Sequence, residues 1–438
     1  MSTKNERVAS RRRVHLAAFV EGVNHTTVWS DPAAGSQIAP ESFEHIARTA
    51  ERGLFDLLFL GQGLRLREHR GRIFELDVAG RPDTLTLYAA LASITERVGL
   101  AATLNTTYTE PEDLAAGLGA IDHLSAGRSA WNIVTSSDAF VGANFRRGGY
   151  LAYADRYRRA EDVIRAAESM WRAAGTGGSY SYEGAFASVA GECAPDPLPQ
   201  GRPVYVQAGD SADGRAFGAR YSDVIFSLNT DYVAAERFHI DMQRHLAAAG
   251  RQRQDIRILP IARIVFGDTP AEARDNAREN GFAQISGARA IAFAEQVWGR
   301  PLDGVDPDGP LPPFDPVRPA EHLMQGRVQS KADPAQTVRR WRELAERDRH
   351  TLRSLMVAVY GQPAFCGTPS QVADQLVRYT DAGITDGFAL GSYLTPGGFD
   401  EIVDRLVPEL QERGAYPDRY SGRTAREHLG LTPLPFHD

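Results

Sequence analysis

Ile121–Ser137, IDHLSAGRSAWNIVTSS, decides the fold. The stretch reads as the end of a helix, a tight Ser-Ala-Gly turn, and a strand from Ser129 to Thr135 that is apolar except for Asn132. It ends in a polar cluster. In a parallel α/β barrel the carboxyl ends of the strands open onto the active site, which would put Asn132, Thr135, Ser136 and Ser137 at a pocket mouth. The plainer alternative is a buried strand that runs into a hydroxyl-capped turn.

Working outward, strand and helix patterns alternate. Val14–Val20 is an apolar strand, Pro40–Arg52 a helix with Phe43, Ile46, Ala47 and Ala50 on one face, and Leu57–Leu60 a short strand apolar throughout. After a charged, Gly-rich excursion at 61–82 comes a helix over Asp83–Arg97, with Asp83 at its cap position. Strand three is Val98–Leu104, followed by a helix at Pro111–Leu124 and strand four at Arg128–Val134. An amphipathic helix spans Asp155–Arg172, and a Gly/Pro-rich excursion at 175–202 has room for a hairpin around Tyr180–Phe186. Val204–Gln207 and Asp223–Ser227 are strands five and six, Ile256–Phe266 is strand seven, and Gly387–Leu390 supplies the eighth, with Phe399–Gln411 as the last helix. Leu355–Tyr360 also reads as a strand, which leaves the count of eight open. Before it an insertion at 267–333 starts with helix over Pro270–Trp298 and continues as a proline-rich loop; long loops in compact domains are usually lids or binding loops. The expectation is one (β/α)8 TIM-barrel domain over 1–438, with insertions and a lid over the substrate face.

The 438 residues are 42% apolar and 24% charged, with a net charge of -7, which argues against a nucleic-acid groove. The two cysteines, Cys193 and Cys366, have no metal-ligand spacing and cannot form a disulfide framework. Arg11-Arg12-Arg13 precede an apolar run as in an export signal, but Glu21 interrupts it early. No stretch approaches the length of a membrane span. A cytoplasmic protein is expected, with no nucleic-acid or membrane partner.

Two local patterns bear on chemistry. In VYVQAGDSADG a strand turns at Gly209 and opens a helix through Asp210 and Ser211, so backbone N–H groups at a helix start are available to an anion and Ser211 adds a hydroxyl; an ordinary Ser/Asp helix cap looks the same. The loop EGVNHTTVWS after strand one carries Trp29 and His25, the latter a candidate acid or base near neutral pH. There is no GxGxxG after a strand, P-loop, HExxH or paired His-x-His, so no metal is expected.

SAGRSAWNIVTSS resembles the corresponding segment of the luciferase-like flavin monooxygenases, in the branch containing the nitrilotriacetate, dibenzothiophene-sulfone and pristinamycin monooxygenases. GLAATLNTTYTEP (Gly99–Pro111), NFRRGG and DRYRRAED (within 144–162), PVYVQAGDSADGRAFGARYSDVIF (Pro203–Phe226) and GTPSQVADQL (from Gly367), with a tail reaching Leu431, extend the resemblance over nearly the whole chain. It implies a bacterial-luciferase-like barrel that binds FMN, taken as FMNH2 from a separate NAD(P)H-dependent flavin reductase, and uses O2 to oxygenate a small organic substrate, as a homodimer or homotetramer. Thr103 and Asn132 are implied to lie near the reacting oxygen, Arg156 and Tyr157 to contact the FMN phosphate, and Gln62, Ser136, Ser137, Tyr153, Gly209 and Ser211 to complete the flavin site. Three positions depart from the family pattern. Tyr153 stands where a His is common, Gln62 where an acid is usual, and Ser137 where Trp is frequent. They put a His-mediated proton transfer in doubt and suggest a wider substrate cavity. Two rival readings stay open: an F420-dependent oxidoreductase of the same barrel superfamily, and a non-catalytic flavin-binding protein.

Overall fold

The computed structural model describes residues 11–20, 31–74, 78–136, 139–145, 151–318, 323–326 and 332–434. Eight strands form the core: β1 (His15–Val20), β2 (Leu57–Leu60), β3 (Gly99–Asn105), β4 (Ser129–Val134), β5 (Val204–Gln207), β6 (Val224–Ser227), β7 (Arg257–Phe266) and β8 (Gly387–Gly391). Each pairs in parallel with the next. β8 returns to β1 with His15 opposite Gly387, which closes the sheet into a barrel and removes its edges. The short strand Phe365–Gly367 extends the pairing at the carboxyl end of β7.

Why these segments form a barrel follows from what alternates along them. Leu16, Ala18, Leu58, Leu60, Leu100, Ala102, Trp131, Ile133, Phe388 and Leu390 face the helices in the largest apolar cluster. Their neighbours Ala17, Leu57, Phe59, Ala101, Ala130, Val204, Val206, Phe226, Leu259 and Ala389 fill the interior. Alanine at 17, 101, 130 and 389 leaves room for aromatic rings. Phe19 stacks on Phe59 at 5.1 Å, and Phe59 meets Phe226 at 4.9 Å. At the amino end, Ala425 of the short helix Ala425–His428, with Leu429 and Leu431 just after it, joins the interior cluster and plugs it.

Around the barrel, α1 (Pro40–Arg52) and α3 (Pro111–Leu124) have the bounds read from the sequence, while α4 (Arg156–Thr176) runs one turn beyond Arg172. The hairpin in the 175–202 excursion pairs Gly178–Glu183 with Ser188–Cys193. Two readings need correction. The helix expected through Arg97 stops earlier, as α2 (Thr84–Ala92). The buried Arg128 guanidinium takes the carbonyls of Ala92, Thr95 and Val98, so these acceptors are satisfied without another helical turn. Leu355–Tyr360 is not a strand but most of the helix Leu352–Tyr360, capped by Thr351 through the Ser354 N–H. The helix after β8, from Gly398, contains a π turn at Ile402–Leu406.

The insertion holds two helices, Pro270–Gln284 and Gly287–Trp298. With Pro334–Asp348 and Leu352–Tyr360 they build a second apolar cluster around Phe293, Trp298, Trp341 and Leu355. Met324–Gln325 pairs antiparallel with Glu68–His69, joining the insertion to the excursion after β2. No helix among the described residues is long and apolar enough to cross a membrane.

Candidate active site

Parallel pairing puts Thr103 on β3 opposite Asn132 on β4, and both are inward-facing because each lies two residues beyond an interior alanine, Ala101 and Ala130. They are only 6% and 4% exposed. The Thr103 hydroxyl donates to the Leu60 carbonyl at 2.6 Å, and Asn132 Nδ2 donates to Thr103 Oγ1 at 3.1 Å. Asn132 Oδ1 is buried without a hydrogen-bond partner. Nearer the mouth, Asn105 Nδ2 donates to Ser136 Oγ at 2.7 Å, and the Ser136 N–H donates to Thr107 Oγ1 at 2.9 Å. The structure therefore brings Thr103, Asn132 and Ser136 together at the ends of two adjacent strands.

Gln62 is tied into the start of α2. Its Oε1 accepts from the Thr84 N–H at 3.0 Å and its Nε2 donates to Asp83 at 3.2 Å, so the amide holds the start of α2. An acid there would lose the Nε2 donation and meet the Asp83 carboxylate, a like-charge contact. His25, Trp29 and Ser137 lie outside the described residues.

A second group gathers where β5 gives way to α5 (Ala212–Tyr221). Ser211 caps this helix by accepting from the Gly214 N–H at 3.1 Å, and the first intrahelical donor is Arg215, at 2.8 Å from the Ser211 carbonyl. The N–H groups of Ala212 and Asp213 precede it and have no acceptor within the helix. Tyr157 crowds this turn from the start of α4. A Cβ at Gly209 or Gly214 would lie 2.9 or 2.8 Å from its hydroxyl, and at Gly214 also 2.9 Å from the Gly209 carbonyl oxygen, so a side chain at either position would have to displace a neighbour. Arg156 is 5% exposed, with its guanidinium 3.6 Å from the Tyr153 ring centroid and 4.3 Å from that of Tyr157. Its nearest carboxylate, that of the largely exposed Asp213, is 3.8 Å away. Arg156, Tyr157, Gly209 and Ser211 thus converge on one cationic helix start; Tyr153 contributes a ring face, and the residue itself is exposed. This group follows β5, not β7 or β8, where barrel phosphate sites are generally found.

Sequence reasoning missed three features. Gln207, buried beneath Gly209 with Oε1 unpartnered, was signalled by a polar residue ending the apolar run VYVQ. Asp213 as the loose partner of Arg156 had no signal, because the two meet only through tertiary packing. Nor had the knot at Glu295, a fully buried carboxylate that accepts from His69 Nε2 at 2.6 Å, Arg70 Nε at 3.0 Å and the Leu302 N–H at 2.8 Å. Burial pushes this carboxyl up, but the bonds from His69 and Arg70 outweigh it and hold it down at about 2. The knot ties the excursion after β2 to the helix Gly287–Trp298. A cleft of about 720 Å³ runs along the same seam.

The model of the family described as luciferase-like monooxygenase matches residues 22–386. N-acetyl-S-(2-succino)cysteine monooxygenase of Bacillus subtilis (strain 168) is 34% identical over 97% of this chain and 98% of its own length. Nitrilotriacetate monooxygenase component A of Aminobacter aminovorans is 31% identical over 94% of each chain. The crystal structure of DmoA from Hyphomicrobium sulfonivorans superposes with a TM-score of 0.79 at 27% identity, covering 97% of this chain and 95% of that one. A closed parallel barrel, polar strand ends at one mouth and full-length similarity to named monooxygenases agree: the chain is an enzyme of the luciferase-like monooxygenase family.

Proposed function

We propose that the enzyme binds reduced FMN, supplied by a separate NAD(P)H-dependent flavin reductase, and transfers one atom of O2 to a small organic substrate. The observation that carries this reading is the pairing, on adjacent strands, of a cationic helix start with a buried amide that lacks a partner. The first suits a phosphate and the second the polar edge of an isoalloxazine, so the residues present fit the group. When bound, the reduced flavin supplies the two electrons needed to divide O2 between product and water.

The chain's own residues bind, orient and exclude water. Arg156 would exchange its loose contact with Asp213 for the phosphate, and the Ala212 and Asp213 N–H groups would add neutral donors. Thr103 acts through Asn132, because its single proton is committed to Leu60. The Asn105–Ser136 pair keeps the mouth polar above them, and Gly209 lets the backbone come close. The insertion and the excursion after β2, joined at Met324–Gln325 and Glu295, would act as a lid that keeps water from the site. The name of the Aminobacter relative, component A, fits a division of labour with a reductase.

The test is turnover with photoreduced FMN under isotopically labelled O2, across thioether carboxylates, amine carboxylates and sulfones, with products read by mass spectrometry. One labelled oxygen in a product is expected. Turnover with reduced F420 and no oxygen incorporation would replace this reading, and FMN binding without oxygen consumption on any substrate would end it.

A further inference from the structure

The orientation of the Asn132 amide is settled by counting protons. A hydroxyl has one proton, and that of Thr103 lies 2.6 Å from the Leu60 carbonyl. Toward Asn132, at 3.1 Å, Thr103 Oγ1 can therefore only accept. The amide must turn Nδ2 to Thr103 and Oδ1 away from it. Val206, opposite Asn132 on β5, offers no side-chain donor, and Oδ1 is left as a buried acceptor with nothing to accept from. Such an atom has already lost its water, so a donor brought to it restores a bond, whereas a second lone pair brought to it is repelled.

Resting on the FMN reading above, we propose that Asn132 Oδ1 selects the oxidation state of the flavin. The reduced ring carries an N–H at N5; the oxidised ring has a lone pair there. An oriented acceptor welcomes the first and rejects the second. The relay from Leu60 through Thr103 to Asn132 makes Thr103 the positioning residue, since without its hydroxyl nothing obliges the amide to present oxygen. An enzyme that takes its flavin from a reductase gains by such a filter, because spent oxidised flavin leaves and reduced flavin enters. The N–H at N3 is present in both states, so an acceptor facing N3 would make no such distinction.

Dissociation constants for oxidised FMN, and for reduced FMN without oxygen, should be measured for the wild type, Asn132→Leu, Thr103→Val and Thr103→Ser, together with the midpoint potential of the bound flavin. The wild type is expected to favour reduced FMN. Asn132→Leu should weaken reduced FMN about ten-fold with oxidised FMN unchanged or tighter, which lowers the bound two-electron potential by about 30 mV. Thr103→Val should move the ratio in the same direction, while Thr103→Ser retains it. Equal weakening of both states, or an unchanged ratio in Asn132→Leu, overturns the proposal; if that variant fails to fold, the ratio in Thr103→Val decides. Failure of the wild type to bind FMN in either state would sink the flavin reading itself.

Discussion

The two ends of the barrel use polar residues in opposite ways. At the amino end, buried charges meet counter-charges or carbonyls supplied by the protein. Asp223 accepts from Arg202 at 2.6 Å, from Arg426 at 3.1 Å and from the Tyr205 N–H at 2.8 Å. Asp56 accepts from Arg13 at 2.6 Å and the Leu16 N–H at 3.1 Å, and lies 3.1 Å from His15 Nδ1. At the carboxyl end, Arg156 donates to the Tyr153 carbonyl but has no close carboxylate, that of the exposed Asp213 being 3.8 Å away, and Asn132 keeps an idle acceptor. Both ends bury polar groups, and single atoms such as Ser129 Oγ, Ser222 Oγ and Arg426 Nε lack a partner at the amino end too; the contrast lies in the charges, which the amino end pairs closely and the carboxyl end does not. The difference teaches where this chain spends stability and where it reserves chemistry.

The largest expected break in this contrast is Asp223→Ala. It removes the close carboxylate from two buried guanidinium groups, leaving Arg202 only the Pro203 carbonyl and a Glu168 carboxylate 3.8 Å away, and should cost about 3–5 kcal/mol in urea unfolding; a loss below about 1 kcal/mol would mean that the amino end is not the stabilising one. Asn132→Ala sharpens the comparison from the other side. It deletes one unsatisfied acceptor together with one hydrogen bond, that from Nδ2 to Thr103, and since the two partly offset, unfolding should shift by no more than about 1 kcal/mol, while oxygenation falls about 100-fold in single-turnover measurements.

The Glu295 knot, away from both ends, is expected to show in acid. Its folded carboxyl sits at about 2 against an ordinary value of 4.5, so the unfolded chain binds more protons as pH falls between them. Stability from this group is full above the ordinary value and drains away toward the folded one, by roughly 3 kcal/mol. In Glu295→Gln that slope should flatten, and an unchanged acid-unfolding curve would deny the knot its role. The smallest effect is expected for Arg156→Ala, which should raise the dissociation constant of FMN about ten-fold and lessen its salt dependence. Full retention of affinity would move the phosphate elsewhere.

Most of the scaffold was legible because strands buried on both faces leave continuous apolar runs, as in LLFL and VYVQ, and because proline and glycine punctuate the helices. Thr103, Asn132 and the Gly209–Ser211 turn were legible as polar breaks at strand ends. The errors have one origin. α2 stops at Ala92, where Arg128, distant in sequence, takes the last helical carbonyl and those of Thr95 and Val98 beyond it. Leu355–Tyr360 is helical because its apolar residues pack in a cluster with Trp298 and Trp341, where a helical face fits.

The linear order of residues alone determined the alternation of strand and helix, the likeness to the luciferase-like family and the residues that stand at the strand ends. Only the closed barrel decided which of those polar groups are consumed by one another. Gln62 bonds Asp83 and Thr84, the Thr103 proton goes to Leu60, and Asn132 Oδ1 has no partner. Periodicity is a local property that burial stamps on the sequence. The partner of a hydrogen bond is set by register and packing between segments far apart in the chain, and no window of sequence contains both.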